Sequence, residues 1–360
     1  MKNRLDQLRG ILEKEGLDSI LISTPENRRY LSGFTGSAGY LIISLKDAIL
    51  ATDFRYVEQA ENQSPAFRIH RIMGGQSWLP EIMKQLSGHT LGFESQNLTV
   101  SQYELILSSL KEHIPSGITM KPLSGVVEEL RAVKDKEEMA LLQKAIDISD
   151  KAFDIVAPTI QEGQTEKDIA WSIERTVREL GAEAISFDTI VAAGSNAALP
   201  HHRPSDTKIQ NGQPIIIDMG ARYQGYCSDL SRTICIGNPD ETFRKIYDIV
   251  LAAQLTAIAM VRPGMSGKDA DNLARVVIEE NGYGDNFGHS LGHGVGLEVH
   301  ENPGVGPGSS GTLLEDMAFT IEPGIYISGW GGVRIEDIVV FEGGKPKVIS
   351  KATKNQHLGA

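Results

Sequence analysis

A chain of 360 residues exceeds what one hydrophobic core usually supports, and 41% hydrophobic with 23% charged residues is the composition of a folded protein, not a disordered or fibrous one. Its 47 acidic and 35 basic residues leave a net charge of -12 with no basic cluster, which repels phosphate backbones and anionic lipid surfaces, so neither nucleic acid nor membrane is expected as a partner. Residues 1–9 lack an apolar signal core, no stretch approaches ~18 uncharged apolar residues, and Cys227 and Cys235 lack C-x-x-C spacing, so a reduced cytoplasm is the expected location.

Leu5, Leu8 and Leu12 at helical spacing predict an amphipathic helix over 2–15, with Gly16 as its stop. Strands over 19–23, 40–44 and 48–52 and helices over 79–86 and 101–112 follow, which describes an α/β domain over 1–125. Near Lys134 the pattern changes to a long helix, 134–155, with Met139, Leu142, Ile146 and Phe153 on one side. A second domain is expected over 126–360.

That second domain repeats itself. A shift of 101 residues places Asp147 on Asp248, Gly163 on Gly264, Thr165 on Ser266, Asp168 on Asp269 and Gly181 on Gly282. Each copy reads helix, Gly turn, helix, and the pairs Thr165/Asp168 and Ser266/Asp269 predict N-caps with an acid at N3. After each copy come two β-rich runs joined by a turn, near 223–225 and 329–332. Asp218 and Asp229 flank the first turn and Glu322 and Glu336 the second, so the acids of each hairpin are expected roughly opposite one another.

Carboxylates set in runs such as Ile215-Ile216-Ile217-Asp218 and Phe319-Thr320-Ile321-Glu322 are poor candidates for solvated surface groups. Two like charges about 4 Å apart repel by about 4 kcal/mol at an effective dielectric of about 20, so four clustered anions require cations. Two divalent ions would supply that charge, and oxygen-rich ligands with an imidazole suit manganese, cobalt or zinc. The imidazole is offered by residues 288–300, which carry His289, His293 and His300 among glycines that allow close approach of a ligand or metal. A dinucleotide-binding loop is excluded there by spacing and by the lack of a strand-to-helix context. His201 and His202 follow Leu199-Pro200.

These residues resemble the pita-bread metallopeptidases, in particular the Xaa-Pro dipeptidase (prolidase) and Xaa-Pro aminopeptidase branch. The resemblance implies a creatinase/prolidase-like α/β N-terminal domain followed by a pseudo-twofold pita-bread catalytic domain. It implies that Asp218 chelates one metal ion, that His293 and Glu322 hold the other, and that Asp229 and Glu336 bridge both, with manganese the favoured metal. It further implies that His201 steadies the substrate, that His300 lies near the scissile carbonyl, that Glu322 shuttles a proton, and that His289 and Arg334 line the substrate pocket. Residues 30–39 and 52–56 resemble the N-terminal domain that supports dimerisation in such enzymes. The residues alone leave Asp53 and Arg55 equally readable as a surface ion pair. The expected activity is hydrolysis between an N-terminal residue and proline, dipeptides slightly ahead of longer peptides. Methionine aminopeptidase shares the metal site but normally lacks this N-terminal domain, creatinase lacks the metal ligands, and a metal-free binding module of the same fold generally loses them.

Overall fold

The computed structural model describes residues 2–74, 78–86, 88–354 and 357–358. The chain divides into two compact units, Met1–Arg131 and Ala132–Ala360.

In the first unit, helix Lys2–Glu15 buries Leu5, Leu8 and Leu12, and Gly16 ends it at a φ of 64° that an L side chain rarely adopts. The sheet has six strands in the order Arg68–Arg71, Ala48–Thr52, Tyr40–Ser44, Ser19–Ile22, Thr90–Glu94 and Thr119–Leu123. Helices Trp78–Gln85 and Val100–His113 cover it with Trp78, Leu79, Ile82, Met83, Ile106 and Leu110. The strands at 68, 90 and 119 escape a reading by periodicity because they are short and, in Arg68–Arg71, exposed at both ends. Asp53 and Arg55 form an exposed bidentate pair, with Nε to Oδ1 at 2.9 Å and Nη2 to Oδ2 at 2.7 Å.

The division falls after Arg131, later than the expected end of the domain at 125. All but the last residue of helix Val126–Ala132 stays with the first unit, where fully buried Asn27 donates to both Glu94 and Glu128 at 2.6 Å and accepts from Arg131 Nη1 at 2.8 Å.

In the second unit the two copies coincide: helix Glu166–Glu179 and helix Gly267–Glu280 are offset by the same 101 residues at both ends. Thr165 Oγ1 accepts from the Asp168 amide and Ser266 Oγ from the Asp269 amide, each at 3.1 Å, satisfying one of the orphan N–H groups of a helix start. Each half buries its own core. Ile148, Phe153, Ile169 and Ile173 pack with Ile215, Ile217 and Ile234 in one, and Phe243, Tyr247, Val250 and Ala274 pack with Phe319, Ile321 and Val339 in the other.

Strand Pro214–Met219 pairs antiparallel with Leu230–Ile236, and Ala318–Ile321 with Asp337–Glu342. A two-residue turn with Gln224 and Gly225 both at positive φ closes the first hairpin tip, while Gly329 at φ 81° lies in the second. The halves meet where Thr233 Oγ1 donates to the Arg334 carbonyl and accepts from the Arg334 amide, both at 2.9 Å, and the Glu336 amide donates to the Ser231 carbonyl at 3.1 Å. Buried Arg232 and Asp337, 2.8 Å apart, fasten the same seam. This seam brings the acid-bearing ends of both hairpins together.

Candidate metal centre

Register decides how the four acids meet. Ile321 pairs with Asp337 and Gly324 with Arg334, which sets Glu322 opposite Glu336 as the pattern predicts. In the first hairpin Asp218 instead faces Ser231, and Leu230 faces Met219, so Asp229 lies two residues along from the position opposite Asp218. The acids are therefore only roughly opposite there, because the two-residue turn at Gln224-Gly225 fixes one continuous register, with Arg222 facing Cys227 and Tyr223 facing Tyr226, that sets Ser231 and not Asp229 across from Asp218. A diagonal offset of two keeps both side chains on one face, so convergence survives.

His293 sits on a three-residue strand, Gly292–Gly294, between Glu301–Val305 and Ala318–Ile321. A Cβ on Gly292 would strike the Thr320 carbonyl, and one on Gly294 the Asn302 carbonyl. These two glycines therefore admit neighbouring backbone, not a ligand or metal as the sequence suggests. His293 Nδ1 lies 3.0 Å from the Gly294 carbonyl, which can only accept, so Nδ1 carries the proton and Nε2 is left facing Glu322 at 3.2 Å and Asp229 at 3.5 Å. Thr320 Oγ1 receives the His293 amide and donates to Glu322 Oε1, both at 3.0 Å, holding imidazole and carboxylate in one orientation.

Arg334 is almost fully buried and donates to Asp218 Oδ2 at 2.6 Å, Ser231 Oγ at 2.8 Å and Tyr326 OH at 2.9 Å. Tyr326 OH in turn lies 2.9 Å from His289 Nε2, and His289 Nδ1 lies 2.8 Å from the Ser290 carbonyl. One proton arrangement satisfies the chain: Nδ1–H donates to the carbonyl and Nε2 accepts from the phenol. Burial, against the opposing charge of Glu322, holds His289 below the ordinary histidine range, consistent with a neutral ring.

The floor of the site is electrostatically strained. Burial, followed by the charges of Glu336, Asp218 and Glu322, pushes Asp229 well above the usual carboxylate range. Burial, with Glu322 and Asp218, does the same to Glu336. For Glu322 burial acts upward, but the His293 hydrogen bond and charge outweigh it and lower the group. For His293 burial acts downward, and its bond to Glu322 overcomes this and raises it. Above this floor opens a cleft of about 470 Å³, bordered by His201, His289, His300 and Arg334. The His300 ring lies edge-on to His293 with centroids 4.3 Å apart.

The two family profiles that match cover nearly the whole chain: the Creatinase/Prolidase N-terminal domain over residues 4–133, and Metallopeptidase family M24 over residues 140–342. The chain belongs to metallopeptidase family M24. This M24 chain is 40% identical to the Xaa-Pro dipeptidase of Pyrococcus furiosus over 98% of its own length and 99% of the relative's. Its fold superposes on the Xaa-Pro dipeptidase from Bacillus anthracis with a TM-score of 0.95, at 42% identity and 99% coverage of both chains. The X-Pro aminopeptidase from Thermotoga maritima gives a TM-score of 0.87 at 38% identity, covering 94% of this chain and 97% of that one.

Membership implies divalent metal ions, and the M24 residues fit them. Asp218 Oδ1 and Glu336 Oε1 are buried without a hydrogen-bond partner, an arrangement that costs free energy unless a cation takes up their lone pairs. Asp229, His293 and Glu336 each offer a ligand atom within 4.8 Å of the others. Four carboxylates and one imidazole form a donor set for a hard or borderline ion.

Sequence reasoning passed over Tyr326, Thr320, Ser231 and Glu166. Tyr326 carried a signal in the glycine run after it: Tyr326 pairs with Gly332, where a Cβ would press on the Tyr326 ring, two residues from Arg334 on the same face. Glu166 shows only as a charged residue at a helix start. His202, the neighbour of His201, points Nε2 at Glu166 Oε2, 2.8 Å away.

Proposed function

We propose that this chain hydrolyses the peptide bond between an N-terminal residue and a following proline, using two divalent ions, with manganese favoured over cobalt and zinc. Asp218 would hold one ion and His293 and Glu322 the other, with Asp229 and Glu336 shared between them. The observation that carries the reading is the convergence of these five side chains, two with unpartnered buried oxygens, beneath a cleft that His201, His289 and His300 border. The Xaa-Pro dipeptidases at about 40% identity and full coverage support the same substrate class.

The chemistry such ions supply is a water molecule whose pKa falls from about 15.7 toward about 7. Glu322, fixed by Thr320 and His293, would carry a proton to the departing nitrogen. Delivery is obligatory because proline's nitrogen is a tertiary amide with no N–H. His300 polarises the scissile carbonyl, and His201 holds the tetrahedral intermediate on the cleft wall. His289, kept neutral between Tyr326 and the Ser290 carbonyl, offers a ring face to the proline side of the substrate.

The reading extends to a cytoplasmic homodimer. Two free, buried cysteines accord with a reducing compartment, and no helix among the described residues is long and apolar enough to cross a membrane. Phe54, 70% exposed beside the Asp53–Arg55 pair, supports a contact between copies. The deciding experiment compares Ala-Pro, Ala-Pro-Ala-Ala and Met-Ala turnover after manganese loading. Cleavage of the prolyl substrates alone is expected, and preference for Met-Ala would overturn the assignment.

A further inference from the structure

Arg203 borders the cleft two residues after His201, is exposed, and makes no hydrogen bond or ion pair with any described residue. The other guanidinium on the cleft wall is fully used: Arg334 donates to Asp218, Ser231 and Tyr326. The backbone around Arg203 is nonetheless firmly held. On one side His202 Nε2 lies 2.8 Å from Glu166 Oε2, and on the other the Ser205 amide and hydroxyl donate to the same oxygen at 2.9 and 2.7 Å. Glu166 is fully buried, and its second oxygen takes the Ala193 amide and Asn196 Nδ2. Pro204 further restricts Arg203 to extended backbone. The loop thus presents an unpaired cation to the substrate cleft on backbone anchored to a buried carboxylate.

We infer that Arg203 receives the free C-terminal carboxylate of the substrate and so makes a dipeptide the preferred one. The inference rests on the Xaa-Pro reading above. In a dipeptide the carboxylate sits on the prolyl Cα, one residue from the cut bond, so its cation must border the same cleft and be unpaired in the free protein. Arg203 meets both conditions, and a planar fork suits a carboxylate. A longer peptide places an amide there and gains no ion pair.

The test measures Ala-Pro and Ala-Pro-NH2 with the metal-loaded wild type, Arg203→Ala and Arg203→Lys. Loss of one charge-assisted pair should raise KM for Ala-Pro by about ten- to a hundredfold in Arg203→Ala, with kcat little changed. Arg203→Lys should recover part of that loss, and KM for Ala-Pro-NH2 should stay within about twofold of wild type in both. Equal losses on both substrates, or no loss on Ala-Pro, would overturn the inference. Wild-type inactivity on both substrates would remove the functional reading itself, and the inference with it.

Discussion

Replacing Glu336 by Gln separates a metal ligand from a structural acid, because the two roles predict opposite signs. Ligand atoms of Asp229 and Glu336 lie within 4.8 Å of one another in a buried floor. Two unit charges at that separation repel by about 3.5 kcal/mol at an effective dielectric of about 20. Either that repulsion or the protonation that relieves it costs the metal-free fold stability at neutral pH, so replacing one acid by a neutral amide should stabilise it. At about 2–4 °C per kcal/mol for a domain of this size, metal-free Glu336→Gln should melt above metal-free wild type, by up to about 7–14 °C. Manganese at a hundredfold excess over its Kd should stabilise wild type by about 2.7 kcal/mol, or about 5–10 °C, and the variant by nearly nothing. The assay is calorimetry of both proteins after chelation and after manganese addition. A variant that melts below wild type without metal, or that keeps the manganese shift, would refute the reasoning.

Three further outcomes are expected. His201→Ala, which removes a group on the cleft wall and none on the floor, should lower kcat/KM for Ala-Pro by about a hundredfold or more while keeping the manganese-induced melting shift; loss of both would return His201 to the metal site. Asp229, Glu336 and His293 all have raised pKa values in the metal-free protein, so each holds its proton to higher pH than usual, and metal must displace those protons. Affinity should accordingly rise with pH and fall as pH drops through the raised values. Calorimetric titration in buffers of different ionisation enthalpy should find net proton release, and equal heats in all buffers would contradict the electrostatics. Lys134→Met removes the ammonium 2.6 Å from Glu301 in a pair only 1% and 2% exposed, and should cost about 3–5 kcal/mol in urea unfolding. Adding Glu301→Gln should restore part of that loss, and a single variant as stable as wild type would dismiss the pair as a stabilising element.

Much of this protein is local and therefore legible in its sequence. The leucines of the first helix, the Thr165 and Ser266 caps, the 101-residue repeat and the turn at Gln224-Gly225 each follow from side-chain spacing or from a backbone angle that few residues adopt. The four acids and His293 stand out because charge inside apolar strands needs a partner, whatever the fold. Tertiary structure alone decided the rest. Strand register set Asp218 against Ser231 and Glu322 opposite Glu336, and register depends on where each hairpin turns, not on the acids themselves. The glycines around His293 proved to clear space for neighbouring carbonyls, contacts between segments distant in sequence. Likewise Glu166 became the anchor of the His201–Arg203 loop only once folding carried a helix start to a loop whose His202 lies 36 residues downstream. Residue chemistry can say which groups need partners; the packing of distant segments chooses them.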